Sequence, residues 1–136
     1  PPELSLGTQD LLRFLQDLPM TRVWGGICFA HSMPFELLRA FYEPIDVGSV
    51  HRAQDIFQMT SHRILFCGHS HRPVLFRASG DVVTRETVPS SRPVPLDPGH
   101  RYISVTGAVT EGECALFDVP SWTLERIRIR QGPEKK

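Results

Sequence analysis

No stretch of this sequence approaches the roughly 18 apolar residues that a membrane-spanning helix needs. Nor does a basic segment run into a short apolar core near its beginning, as it would in a secretory leader. The expectation is a soluble, cytoplasmic chain. Net charge is equally lacking: 15 Lys and Arg balance 15 Asp and Glu. The basic residues are scattered singly, so no stripe follows a phosphate backbone, and nucleic acid is excluded as an expected partner. Cysteine is scarce. Cys28, Cys67 and Cys114 form no Cys-x-x-Cys pair and each lies in an apolar stretch, which predicts core thiols in a reducing compartment rather than disulfides or a thiolate metal cluster. There is no internal repeat and no low-complexity block.

What is present fits one core. A chain of 136 residues buries about two-thirds of its unfolded surface, so residues 1–130 are expected to form a single domain, with 131–136 as a tail. "TQDLLRFLQDLP" places Leu11, Leu12, Phe14, Leu15 and Leu18 on a helical repeat, with Thr8 as N-cap and Pro19 as terminator. "TRVWGGICFAH" is β-branched and aromatic and predicts a central strand ending at His31. "HSMP" follows as a loop, and "PFELLRAFYE" predicts a helix opening at Pro34. Ser49 then caps a second short helix, "VHRAQDIFQMT".

The second half is strand-rich. "RILFCGHSH" begins as a continuous apolar run, as in a strand covered on both faces, and breaks at Gly68. "PVLFRASGDVVTRETV" reads as a hairpin turning at Gly80-Asp81. "PSSRPVPLDPGH" reads as a surface loop, and "RYISVTGAV", "ECALFDV" and "WTLERIRIRQ" as strands. This order predicts an α/β (α+β) sandwich half, with helices covering one face of a sheet.

Two of the predicted strands end in histidine, at His31 and at the pair His69 and His71. If they are neighbours in one sheet, their carboxyl ends share a rim, which is where open α/β sheets place ligands. Gly68 is expected to supply a sharp turn there. Neutral imidazole suits zinc, manganese or iron. Of the other candidate donors, Asp46, Asp55, Asp81 and Asp97 end no apolar strand and read as turn or helix-surface residues. His51, His62 and His100 read as surface residues, and Trp24 and Trp122 as core or edge packing.

At these motifs the chain resembles the calcineurin-like metallophosphoesterases, in particular small bacterial-type phosphoesterases and related protein phosphatases. "LLRFLQDLP" is similar to the helix before a late core strand of that family, and "ICFAHSMP" to the strand with its histidine loop. "ILFCGHSHRP" is similar to the family's GHTH box, and "YISVTGAVTEGECALFDV" to its Asn-x-Gly-Ser-Val strand and the strand that follows. The pieces occur in the family's order and span most of residues 4 to 119. The resemblance implies the C-terminal half of a four-layer α-β-β-α sandwich holding two divalent metal ions, drawn from manganese, iron, zinc and nickel. By position His31 and His69 bind one metal and His71 the other. A hydroxide bridging the metals then attacks a phosphoester, and Arg72 is a candidate contact for the substrate phosphate.

The departures are as informative. The Asp-x-His, Gly-Asp and Gly-Asn-His motifs of the family's first half are absent, and with them the bridging carboxylate, an asparagine ligand and the expected general acid. Ser32 stands where glycine is usual, Ser104 and Ala108 replace the Asn and Ser of the later strand around Gly107, and "VTEGE" lacks the arginine often found there. Three readings follow. The chain is half of a phosphoesterase, active when joined to or complemented by the other half; or a non-catalytic scaffold of the same fold that binds protein; or a small protein with an open three-histidine zinc site. The third reading requires a sheet face left uncovered. Strands "GICFA" and "ILFC" need neighbours on both sides, so association with the missing half or with itself is expected.

Overall fold

A strand with no polar residue needs cover on both faces, and Ile64–Cys67 (β3) has it: all four residues are buried. The computed structural model describes residues 7–19, 21–31, 49–68 and 70–129. The expected helix at Pro34, the "HSMP" loop, Asp46, His69 and the tail lie outside the described residues. Before β3 come helix α1 (Thr8–Gln16), strands β1 (Thr21–Trp24) and β2 (Ile27–Ala30), and helix α2 (Val50–Met59). After it come β4 (Val74–Ser79), β5 (Val82–Glu86), β6 (Val94–Pro95), β7 (Arg101–Val105), a 3₁₀ turn at Val109–Glu111, β8 (Glu113–Asp118) and β9 (Thr123–Arg128).

The strands form a six-stranded mixed sheet ordered β1-β2-β3-β7-β4-β5 and a three-stranded sheet ordered β6-β9-β8. β2, β3 and β7 run parallel, in register Cys28↔Leu65 and Leu65↔Ile103. Period-2 alternation then sorts their side chains onto two faces. Cys28, Leu65, Phe76 and Ile103 point one way and pack with Ala53, Ile56 and Phe57 of α2. Ile27, Ile64, Leu75 and Tyr102 point the other way and meet Leu96 and Leu124 at the small sheet. Both faces of the large sheet therefore pack against another layer at its centre, while Trp24 and Phe29 on the β1–β2 side stay exposed. Phe76 is wholly buried between these layers, so Phe76→Ala removes about 3–5 kcal/mol.

Local signals account for several elements. Ser49 caps α2, its Oγ accepting from Arg52 N at 3.3 Å, and the β4–β5 hairpin turns at Gly80-Asp81, with Ser79 opposite Val82. Three expectations are corrected. "TRVWGGICFA" is not one strand: Gly25 and Gly26 adopt φ of 55° and 80°, and this two-residue turn folds β1 back on β2. β2 thereby has a neighbour on each side from within the chain. The N-cap of α1 is Gly7 rather than Thr8, and no side chain caps it. The proline-rich stretch is not merely a surface loop, because Val94 and Pro95 pair with β9 and Leu96 N donates to Trp122 O at 2.7 Å. Proline is tolerated there because β6 is an edge strand.

Of the cysteines, Cys28 and Cys67 are buried thiols and Cys114 is half-buried. Burial pushes the Cys28 thiol up from its ordinary pKa. Trp24 is exposed on edge strand β1, whereas Trp122 packs edge-on against Phe117 with Arg63 over its ring at 4.4 Å.

Candidate functional site

Parallel pairing of β2, β3 and β7 brings their carboxyl ends to one rim. Gly68 N donates to His31 O at 2.9 Å, and Thr106 N to Cys67 O at 2.8 Å. These bonds continue the ladder one residue past each strand, so His31 and Gly68 leave the sheet side by side. His31 is exposed at this rim. Gly68 does not take a left-handed conformation, and a Cβ there would meet only ordinary contacts, 3.5 Å from His31 O. Among the described residues of this segment the left-handed one is His71, at φ 62°, and Ser70 N donates to Gly68 O and Arg72 N to Ser70 Oγ. Arg72 is exposed beside it.

A carboxylate that sequence reasoning passed over stands against His71. Glu111 Oε1, from the 3₁₀ turn after β7, lies 3.3 Å from His71 Nδ1. The clue was in "VTEGE", which the family resemblance examined only for its missing arginine. Below the rim, Gly107 has a steric reason to be glycine: a Cβ there would lie 2.6 Å from Glu113 Cβ. Glu113 in turn pairs with Arg126 across the inner face of the small sheet.

The other candidate donors lie elsewhere. Asp81 forms the hairpin turn, and Asp97 accepts from Gly99 N at 2.7 Å. His100 is half-buried rather than simply a surface residue, with Nε2 at 3.1 Å from Ser79 Oγ and 3.7 Å from Asp97 Oδ2. Both partners face the same nitrogen, so this is not a serine–histidine–aspartate relay, which needs the acid on the opposite one. Among the described residues no group of three or more His, Cys, Asp or Glu is placed to hold a metal ion.

Beside the rim an open cleft of about 470 Å³ runs between the two sheets, walled by Trp24, Phe29, Phe66 and Phe117 and ending at His31 and Thr106. Phe29 stacks on Phe66 with centroids 5.4 Å apart. Among the described residues no helix is long and apolar enough to cross a membrane.

Among the described residues two helices, a large mixed sheet with three parallel strands opening onto one rim, and a second sheet packed across it define half of a metallophosphoesterase-like fold. Among solved structures the chain is similar to a metallophosphoesterase from Sphaerobacter thermophilus. The TM-score is 0.69 at 21% identity, over 93% of this chain and 54% of that one. The chain thus spans about half the length of that protein, and at this identity the likeness is one of fold. No protein-family model matches the sequence, and no curated protein matches it.

Proposed function

We propose that this chain supplies the histidine-bearing half of a metal-dependent phosphoester-hydrolysing site, with His31, His69 and His71 as metal ligands and Arg72 as a contact for substrate phosphate. The observation that carries the reading is the bond from Gly68 N to His31 O, which joins the two histidine-bearing strand ends at one rim. Imidazoles on adjacent strand ends are a donor set suited to borderline divalent cations. The proposed ligand set is incomplete within this chain, because the motifs that supply the bridging carboxylate in the family it resembles are absent from the sequence. The remaining donors belong to a complementary half, and no hydrolytic step is assigned to this chain alone.

A bound metal pair supplies an activated water and neutralises phosphoryl charge. The chain's own contribution is to offer imidazole nitrogens from the segments that follow β2 and β3 and the Arg72 guanidinium, whose fork matches two phosphate oxygens. One observation favours a second reading, a non-catalytic scaffold that binds protein: the cleft beside the rim has largely aromatic and aliphatic walls, and Trp24 at its mouth is 60% exposed.

The deciding measurement is metal content by mass spectrometry of protein purified without chelator, beside the His69→Ala variant. Near-stoichiometric metal that is lost in the variant is expected, followed by phosphodiester or phosphomonoester hydrolysis once a complementary half is supplied. A folded protein that carries no metal overturns the hydrolytic reading in favour of the scaffold.

A further inference from the structure

The contact between His71 and Glu111 assigns hydrogen positions as well as proximity. An ionised carboxylate has no proton to give, so a bond between Glu111 Oε1 and His71 Nδ1 at 3.3 Å requires the proton to sit on Nδ1. The neutral ring then keeps its lone pair on Nε2. Isolated neutral histidine has the opposite preference and carries its proton mainly on Nε2. From this geometry we infer that Glu111 is a positioning residue, which selects the Nδ1–H form of His71 and fixes the ring so that Nε2 is the free donor atom.

Both partners sit on restrained backbone. Ala108 O accepts from Glu111 N at 2.9 Å and from Glu113 N at 3.0 Å, and Gly112 N donates to Val109 O at 3.0 Å. Gly112 is left-handed at φ 73°, and its carbonyl accepts from Ile129 N at 2.7 Å, which ties the turn to the end of β9. On the other side, His71 is itself held at φ 62°, a conformation that a non-glycine residue adopts at some cost and that sets the direction of its side chain. The two segments come from distant parts of the sequence and meet only because β3 and β7 are paired.

Stability is a poor explanation for the pair. The side chains are 50% and 56% exposed, and exposed ion pairs contribute little to folding. Orientation is what such a contact does well: a carboxylate behind a ligating imidazole fixes the tautomer and raises ligand basicity. That role towards metal rests on the function proposed above, whereas the tautomer itself does not.

The test begins with metal-free, ¹⁵N-labelled protein at about pH 8, where an ordinary histidine is neutral. Long-range proton–nitrogen correlation reads which ring nitrogen is protonated, and His71→Ala assigns the signal. Wild type is expected to show Nδ1–H at His71, Glu111→Gln to keep it through its amide oxygen, and Glu111→Ala to revert to Nε2–H with an unchanged thermal midpoint. Nε2–H in wild type, or Nδ1–H retained in Glu111→Ala, overturns the inference. Calorimetric titration with zinc alone then reads the consequence: Glu111→Ala is expected to bind about 10–100-fold more weakly. Equal zinc affinity in wild type and Glu111→Ala overturns the orienting role. If wild type binds no zinc, the functional reading fails and the orienting role with it. Failure of the tautomer arm while zinc binds normally defeats this inference alone.

Discussion

Asp118 closes the turn between β8 and β9, accepting from the Ser121 hydroxyl and, at 2.9 Å, from Ser121 N. The hydroxyl, and after it the amide, hold this carboxyl below its ordinary pKa. A depressed folded value places the stabilising contribution above the unfolded pKa, and it is lost as pH falls through the folded one. Ser121→Ala is expected to move the Asp118 midpoint back up towards the ordinary carboxylate range, which a ¹³C-carboxyl NMR titration measures. At this scale the sequence was legible where one residue decides a local geometry, as Ser49 does for α2 and Gly80-Asp81 for a hairpin. Glu111 was not legible, since its partner His71 is brought to it by strand pairing that no local pattern encodes.

Arg101 shows how one element is fastened to another. From the start of β7 its guanidinium donates to Phe57 O at 2.7 Å, to Thr60 O at 2.5 Å and to His62 O at 2.9 Å. It thereby satisfies the Phe57 carbonyl in the last turn of α2 and two carbonyls of the segment just after it, with a positive charge at the negative end of the helix. Burial lowers the guanidinium pKa, yet arginine remains charged at neutral pH. Arg101→Met keeps the aliphatic stem and removes the donors, and is expected to cost about 2–3 kcal/mol, read from the midpoint of urea unfolding. The elements themselves were largely visible in the sequence, because the apolar run of β3 and the alternation of β7, β8 and β9 are strong patterns. The β1–β2 hairpin was missed although Gly25-Gly26 is a recognised two-residue turn signal. Apolar residues on both sides of the turn made it look like a break within one strand.

The described molecule is a three-layer assembly in which α2, the large sheet and the small sheet bury one another's apolar faces. Helix α1 stands apart from that economy, with Leu12 53% and Phe14 58% exposed and none of its residues buried. Its amphipathic pattern was correctly read as helical, but the pattern could not say what covers the apolar face. Together with the cleft beside the rim, this surface predicts association. Sedimentation velocity is expected to show species larger than the monomer that dissociate on dilution, and Phe14→Lys with Leu15→Lys is expected to favour the monomer. A wild-type chain that sediments as a monomer at all concentrations counts against it. The sheet order carries a kinetic consequence as well. The flanks of the large sheet, β1–β2 and β4–β5, are hairpins of strands adjacent in sequence, as is β8–β9 in the small sheet, whereas the β2–β3–β7 centre joins segments remote in sequence. Local pairs close quickly, while distant ones must first overcome a larger loop entropy. The ends of β2 and β3 at His31 and Gly68 are therefore expected to come together after the hairpins have closed.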